Sequence, residues 1–414
     1  MEIFLEVCKW IVIILTAYTL PLTIWMFVTV LVGLRKPKDG KPAENKLHRF
    51  AVLVCARNEE AVIGNLLRSI KRQDYKGKFQ LFVVADNCTD ATAAVAREIG
   101  AIVFVRNDET KKGKGYALSH GISRITKTYD GEFDAVCVFD ADNLAAADFL
   151  TEMNNALCSG AVAAQGYRDT KNIHDSWVSE VYSVYWLMLM RFYYHPRQLM
   201  GLSSMVGGTG FAFKLSALGD AGWATESLTE DVEFSIQQIL KGNRVTYARK
   251  AAFYDEQPAS YGVSVKQRLR WMTGGMQCIP LYIKQVAKAI FRGEKCALDV
   301  LWYLLFIPAA GLTIPLNIAS VCIVLATPGL QPFALPLIIG FCIASWCIAM
   351  VIAYLTLRLE GRDIRSMKRA IALYPFFMLT MMFISLFSLV RPHTEWVPIR
   401  HENVRTIEEL EGGR

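Results

Sequence analysis

The sequence predicts an α/β fold, a mostly parallel sheet domain inserted between transmembrane helices. Two observations carry this expectation. Three long stretches hold no Asp, Glu, Lys or Arg, and between the first and second of them short β-rich runs alternate with helical ones. The uncharged stretches are Trp10 to Leu34, Val300 to Leu357 and Ala370 to Val390, the second interrupted at Pro328-Gly329-Leu330-Gln331-Pro332. A bilayer core takes about 20 apolar residues per helix, so they read as one, two and one spans. Buried helices of a soluble protein rarely run so long without a charge.

The first stretch is too long and lies too late for a cleavable leader, and no A-x-A-like site follows it. Glu2, Glu6 and Lys9 precede it, whereas Arg35, Lys36, Lys38 and Lys41 follow, which puts the next domain in the cytoplasm. The uncharged turn at Pro328 to Pro332 suits the outer side, and Arg358, Arg362, Arg365, Lys368 and Arg369 return the chain to the inner face. A third C-terminal span would leave Arg391, Arg400, Arg405 and the Thr394-Glu395-Trp396 segment outside. Ala370 to Val390 therefore either crosses, lies at the interface or re-enters. The resulting divisions are 1–48 (span and basic linker), 49–275 (soluble domain), 276–298 (interface helix), 299–392 (membrane region) and 393–414 (tail).

The ten cysteines form no C-x-x-C pair and several sit in apolar runs, which reads as reduced thiols and neither a disulfide framework nor a zinc site. The net charge of +7 gathers beside the spans, which points to membrane lipids of an anionic inner leaflet and not to nucleic acid.

In the soluble domain, Phe50 to Cys55, Phe79 to Ala85, Ala101 to Val105 and Ala135 to Phe139 read as strands. Helices are expected at Glu59 to Lys71, Thr89 to Ile99 and Lys114 to Ile125. Near-continuously apolar strands in β-α-β alternation mean a sheet covered on both faces, which binds its ligand at the carboxyl ends of the strands. Those ends read Ala56-Arg57-Asn58-Glu59-Glu60, Asp86-Asn87-Cys88-Thr89-Asp90 and Asp140-Ala141-Asp142-Asn143. Helix capping accounts equally well for Asp90. It accounts poorly for Asp140 and Asp142, because paired carboxylates at a buried strand end repel unless a cation joins them. A hard divalent cation held by one or two carboxylates and phosphate oxygens is the usual resolution.

Three later segments add to this. Gly207-Gly208-Thr209-Gly210-Phe211 permits close backbone approach to a ligand, or is an ordinary loop. Thr229-Glu230-Asp231 precedes a helix, as a cap or as a carboxylate placed to take a proton from a hydroxyl. Gln267-Arg268-Leu269-Arg270-Trp271 offers guanidinium groups for a pyrophosphate and an indole face for a sugar, and a snorkelling interfacial helix uses the same residue types.

In this order the segments resemble the processive family-2 glycosyltransferases, the cellulose, chitin and hyaluronan synthases and the nodulation chitooligosaccharide synthases. Gln267 to Trp271 matches their Q-x-x-R-W signature without departure. The resemblance covers roughly Arg49 to Gly275 and implies a GT-A-type, Rossmann-like domain in a multi-pass bacterial plasma-membrane protein. It implies that Arg57, Glu59 and Asp86 hold the uracil and ribose side of a UDP-sugar, with Lys114 nearby. Asp140 and Asp142 would position Mg²⁺ or Mn²⁺ on the diphosphate, Asp142 as the favoured direct ligand. Asp231 would be the general base, with Glu230 beside it in the catalytic pair. Gln267, Arg268 and Arg270 would close over the diphosphate, and Trp271, with Gly208 and Thr209, would face the acceptor.

The implied reaction is inverting elongation of a β-linked polysaccharide, a glucan (mixed-linkage included) or a GlcNAc-containing polymer, coupled to export. Single transfer to a lipid, as in ceramide glucosyltransferases, is the alternative. Four spans are fewer than cellulose and hyaluronan synthases have, so a homo-oligomer or an accessory export partner is a further expectation.

Overall fold

The computed structural model describes residues 2–37, 45–391, 401 and 403–412. Lys38, Lys41, the Thr394-Glu395-Trp396 segment and Arg400 lie outside the described residues. The chain opens with helix α1 (Glu2–Gly33) and enters the sheet domain at β1 (Phe50–Ala56). There follow α2 (Ile63–Lys71), β2 (Phe79–Asp86), α3 (Thr92–Glu98), β3 (Ile102–Arg106), α4 (Lys114–Thr128) and β4 (Ala135–Asp140). The second half contains β5 (Leu144–Ala145), α5 (Phe149–Leu157), β6 (Ala163–Thr170), α6 (Trp177–Leu189), α7 (His195–Met200), β7 (Phe211–Lys214), α8 (Glu230–Leu240) and β8 (Val245–Asp255). Four long helices, α9 (Tyr261–Phe291), α10 (Lys295–Ala326), α11 (Ala334–Leu359) and α12 (Lys368–Val390), precede the short α13 (Ile407–Gly412).

The eight strands run in the order β3-β2-β1-β4-β7-β6-β8-β5. The β3-β2-β1-β4 half is wholly parallel, as is the β6-β8 pair. β7 runs antiparallel to both β4 and β6, and β5 antiparallel to β8, so the sheet is mixed. Alternate residues of the central strands enter two separate cores, which is why those strands carry no polar face. Val52, Val54 and Phe139 pack against Leu66 and Ile70 of α2 and Phe149 of α5. Leu53, Val84 and Val138 pack on the other side against Leu118 and Ile122 of α4 and Phe211, Phe213 and Phe234.

Two expected helices start later than their sequence pattern: α2 at Ile63, not Glu59, and α3 at Thr92, not Thr89. The residues between are spent on the loops at the strand ends. Asn58 (φ 56°) and Asn87 (φ 52°) adopt left-handed backbone, which asparagine tolerates best among side-chain-bearing residues. Thr89 N donates to Asn58 Oδ1 (2.8 Å), Glu59 N to Thr92 Oγ1 (2.8 Å) and Ala91 N to Glu60 Oε2 (2.8 Å), so the two loops lock together. Asp90 takes the structural role open to it, accepting from Thr92 N (3.0 Å) and Thr92 Oγ1 (2.5 Å).

Helices α1, α10, α11 and α12 are each long and apolar enough to cross a membrane. α1 lies along α10, where Tyr18 OH donates to the Leu305 carbonyl (2.5 Å) and Trp25 Nε1 to Asp299 Oδ1 (3.1 Å). Asp299 also pairs with Arg197 of α7 at 2.7 Å. α9 runs unbroken through residue 275, so the sheet domain and the interface segment share one helix. It joins them by packing on α8 and α10 through Cys278 and Val286, and on α6 and α12 through Trp271 and Met272.

Candidate active site

The carboxyl ends of β1, β2 and β4, the Gly207–Gly210 loop and the start of α8 converge on one edge of the sheet. At its centre Lys114, the first residue of α4, reaches the Asp140 carboxylate and donates to the Gly208 carbonyl (2.7 Å). Asp140 N donates to Thr209 Oγ1 (2.8 Å), whose hydroxyl in turn bonds Asn143 Oδ1. Asp140, Lys114, Gly208 and Thr209 therefore form one connected unit. Burial would lower the Lys114 ammonium, but the Asp140 and Glu230 carboxylates outweigh it and raise it, so the side chain stays cationic.

Glu230 and Asp231 open α8 on the other side of this unit. A Cβ placed on Gly208, whose φ is +79°, would lie 3.5 Å from Asp231 Oδ2, so the glycine loop runs directly against that carboxylate. Thr229 makes no capping bond. It packs instead on Gly274 of α9, where an added Cβ would stand 2.6 Å from Thr229 Cγ2. Desolvation pushes Glu230 up to about 7, with the Asp231 charge adding to it and Lys114 and Arg270 opposing. Desolvation also raises Asp231, against the pull of the Val232 backbone N–H and of Lys114. A carboxyl raised by burial is a better proton acceptor when ionised than an exposed one. A cleft of about 590 Å³ borders the cluster at Gly115 and Thr225, lined also by Tyr116, Trp223, Glu233 and Tyr282.

Asp142 lies deeper, only 3% exposed, and desolvation pushes it up to about 7. Its neighbour is His401, with Nε2 3.6 Å from Asp142 Oδ2 and Nδ1 2.9 Å from Glu59 Oε1. Burial would lower this imidazole, but Asp142 and then Glu59 outweigh it and hold it up at about 10. The sequence gives no signal for His401, since it follows the last apolar stretch. Asp86 is paired with Arg106 of β3 at 2.5 Å, and burial nevertheless leaves it above its ordinary value. Arg57 acts electrostatically on Asp86 from the neighbouring strand end.

The Gln267–Trp271 helix meets this edge unevenly. Arg270 lies close enough to Glu230 to lower it. Trp271 packs edge-on against Trp186 (5.5 Å between ring centroids) and Tyr182 (6.2 Å) of α6. Gln267 Oε1 is buried without a protein partner among the described residues.

Arg268, expected at the donor site, lies away from it. It is fully buried between α9 and α12, donating to Thr380 Oγ1 (2.8 Å) and the Phe377 carbonyl (3.3 Å) with its guanidinium 4.3 Å from the Phe377 ring centroid. The reason is helical phase. Position 270, near Glu230, and position 268 lie about 160° apart around the helix, so 268 turns to α12 together with its i,i+3 neighbour Trp271.

Three further residues of the site escaped the reading of the sequence. Asp255 ends β8 and accepts from Asn143 Nδ2 (2.8 Å) and Gln257 Nε2 (2.9 Å). The strand-end rule that singles out Asp86 and Asp140 applies to it too. Lys171 is buried and donates to the Asp142 carbonyl (2.9 Å). Arg168 stacks on Trp186 (3.9 Å from the ring centroid) and holds the Gly207 carbonyl. Arg168 lies in β6 and Lys171 directly follows it, a strand too polar to stand out.

Comparison with known proteins settles the family. The model of "Glycosyltransferase like family 2" matches residues 48–274, more than half of the chain. The chain belongs to glycosyltransferase family 2. The probable glycosyltransferase YdaM of Bacillus subtilis is 24% identical to this transferase over 270 residues, 62% of each chain. The poly-beta-1,6-N-acetyl-D-glucosamine synthase of Staphylococcus aureus is 26% identical over 256 residues, 59% of this chain and 60% of that one. The transferase thus matches about three fifths of the length of these relatives. Among solved structures, the mannosyltransferase PcManGT of Pyrobaculum calidifontis, in complex with GDP-Man and Mn²⁺, superposes with a TM-score of 0.59 at 16% identity. The match covers 93% of this chain and 99% of that one. The fold is GT-A.

Proposed function

We propose that this transferase moves a sugar from a UDP-sugar to a hydroxyl of a growing β-linked glycan, a glucan or a GlcNAc-containing polymer, with inversion at the anomeric carbon. The observation that carries this reading is the opposition of two groups across one edge of the sheet. Asp231 stands at the head of α8, facing the Gly208 loop, and the Lys114–Asp140 unit stands at the end of β4. Asp231 takes the proton of the acceptor hydroxyl as that oxygen attacks the anomeric carbon, and the nucleotide diphosphate leaves from the opposite face. No covalent intermediate is required.

Lys114 and Arg270 are the cations near enough to balance charge on the leaving diphosphate. Arg57, Glu59 and Asp86 lie at the ends of β1 and β2 for the nucleoside, and Trp271 offers its indole to the acceptor. Asp142 and Asp140 fit a Mg²⁺ or Mn²⁺ ion. They are hard oxygen donors, and burial with the Asp255 and Asp140 charges holds Asp142 high against the pull of His401 and Lys171. That ion would supply Lewis-acid stabilisation of the leaving group.

The polymer reading is supported by the synthase relative and by Trp271 in its aromatic wall with Tyr182 and Trp186. We place the enzyme in a bacterial plasma membrane with its sheet domain cytoplasmic and its product exported. Membranes incubated with labelled UDP-glucose or UDP-GlcNAc are expected to place label in a high-molecular-weight glycan. Label confined to an extractable single-sugar lipid would overturn the polymer reading.

A further inference from the structure

We infer that α12 does not cross the bilayer: it lies along the membrane surface on the side of the sheet domain, and the segment after it returns to that domain as a strap across the strand ends. The start of α12 is fixed to the domain. In the turn before it, Arg362 Nη2 donates to Asp169 Oδ2 (2.6 Å), and Glu360 Oε2 accepts from Tyr167 OH (2.9 Å). In its first turn, Arg369 donates two bonds to Glu180 of α6, each 2.9 Å.

The segment beyond α12 is fixed to the same domain. His401 bonds Glu59, and Asn403 N donates to Glu256 at 3.2 Å. Asn65 Nδ2 donates to the Val404 carbonyl (2.7 Å), and Arg405 donates to the Lys171 carbonyl and Asp175 Oδ1 (both 3.1 Å). Ile407 is buried against Leu144 and Tyr254.

Ten peptide steps separate Arg391 from His401. At full extension they reach about 35 Å. The hydrocarbon core alone is about 30 Å thick, and His401 stands beyond it at the strand ends. A stretch that short cannot coil into a span, and an extended chain in lipid leaves its N–H and C=O groups unpaired. The end of α12 therefore belongs to the domain side, like its start.

The surface of α12 agrees. Tyr374, Phe377, Met381, Ile384 and Ser388 form a buried stripe, Tyr374, Phe377 and Met381 packing in the cluster with Tyr182 of α6 and Ala353 of α11. Phe376, Leu379, Phe383, Phe387 and Val390 form the exposed stripe opposite. One face on protein and one apolar face outward fits a helix lying between the domain and lipid. α11 differs, exposing Leu335, Phe341, Trp346 and Val351 around its whole girth. The arrangement also keeps Arg391 and Arg405 on the side of Arg35 and Lys36, in line with the bias of basic residues. Three helices, α1, α10 and α11, then cross, and the two termini lie on opposite sides.

The test uses the full chain in membranes, with paired fluorescent-protein and alkaline-phosphatase reporters placed after Arg414. The same pair inserted at the exposed Gly131 turn marks the domain side, and at Leu330 the other side. The C-terminal reporters are expected to read as the Gly131 pair does, and a reading like that of Leu330 would overturn the inference. A second arm pairs Asn65→Cys with Val404→Cys under mild oxidation. A disulfide joining the two peptides is expected, and a yield no higher than in either single variant would overturn the strap.

Discussion

At the residue scale, Asp231 and Arg268 show how far side-chain chemistry is visible before the fold is known. Asp231 stands in a segment that reads either as a helix start or as a proton-accepting carboxylate, and the structure sets it against the Gly208 loop. Arg268 misleads because a signature names residue types and not helical phase. Its guanidinium serves the α9–α12 contact, so Arg268→Ala is expected to cost about 2–4 kcal/mol of stability through lost buried bonds and packing. UDP binding by the folded fraction should be unchanged, and a selective loss of UDP affinity at full stability would restore a donor role. Asp142→Asn should instead leave the fold intact. It should weaken Mn²⁺-dependent UDP binding by at least about tenfold, read by calorimetry with and without the metal. The acid side of the pH profile follows from burial. Asp231 works ionised, and its carboxyl is held above the ordinary range, so kcat/KM should fall as pH drops through that raised value. The limb should therefore appear nearer neutrality than for an exposed aspartate. A rate flat down into the ordinary carboxylate range would contradict the assignment.

At the scale of elements, the parallel half of the sheet is readable because β1, β2 and β4 are apolar on both faces and each ends in a polar ligand-side loop. The other half is not. β6 reads Ala-Ala-Gln-Gly-Tyr-Arg-Asp-Thr and β8 carries Arg249 and Lys250, so neither shows a clear strand period even though both are mostly buried. Tertiary pairing, with a bulge at Gly166/Tyr167, decides them. The later starts of α2 and α3 have the same origin, since loop hydrogen bonds outcompete the first helical turn. The contact of α9 with the α8 loop is a further feature visible only in three dimensions. Gly274→Val would push on Thr229 and displace Glu230 and Asp231. It should lower kcat far more than it raises the donor KM, measured as UDP release. Equal changes in both would mean that α9 does not set the position of the base.

For the whole molecule, the uncharged runs coincide with four helices long and apolar enough to cross a membrane. What the runs do not reveal is that one of them is spoken for by the domain. α12 packs on α6 and α9, and the chain beyond it returns to Glu59 and Asp142. The candidate site thus draws on the strand ends, the Gly207–Gly210 loop, the start of α8, α9 and the segment from His401. The role of Asp231 as the base of a sugar transfer is tested most directly by Asp231→Asn in membranes supplied with labelled UDP-sugar. Label incorporation and UDP release are expected to fall by about 10²–10⁴-fold while UDP still binds and the protein melts as the wild type does. Turnover at the wild-type rate in that variant would contradict it.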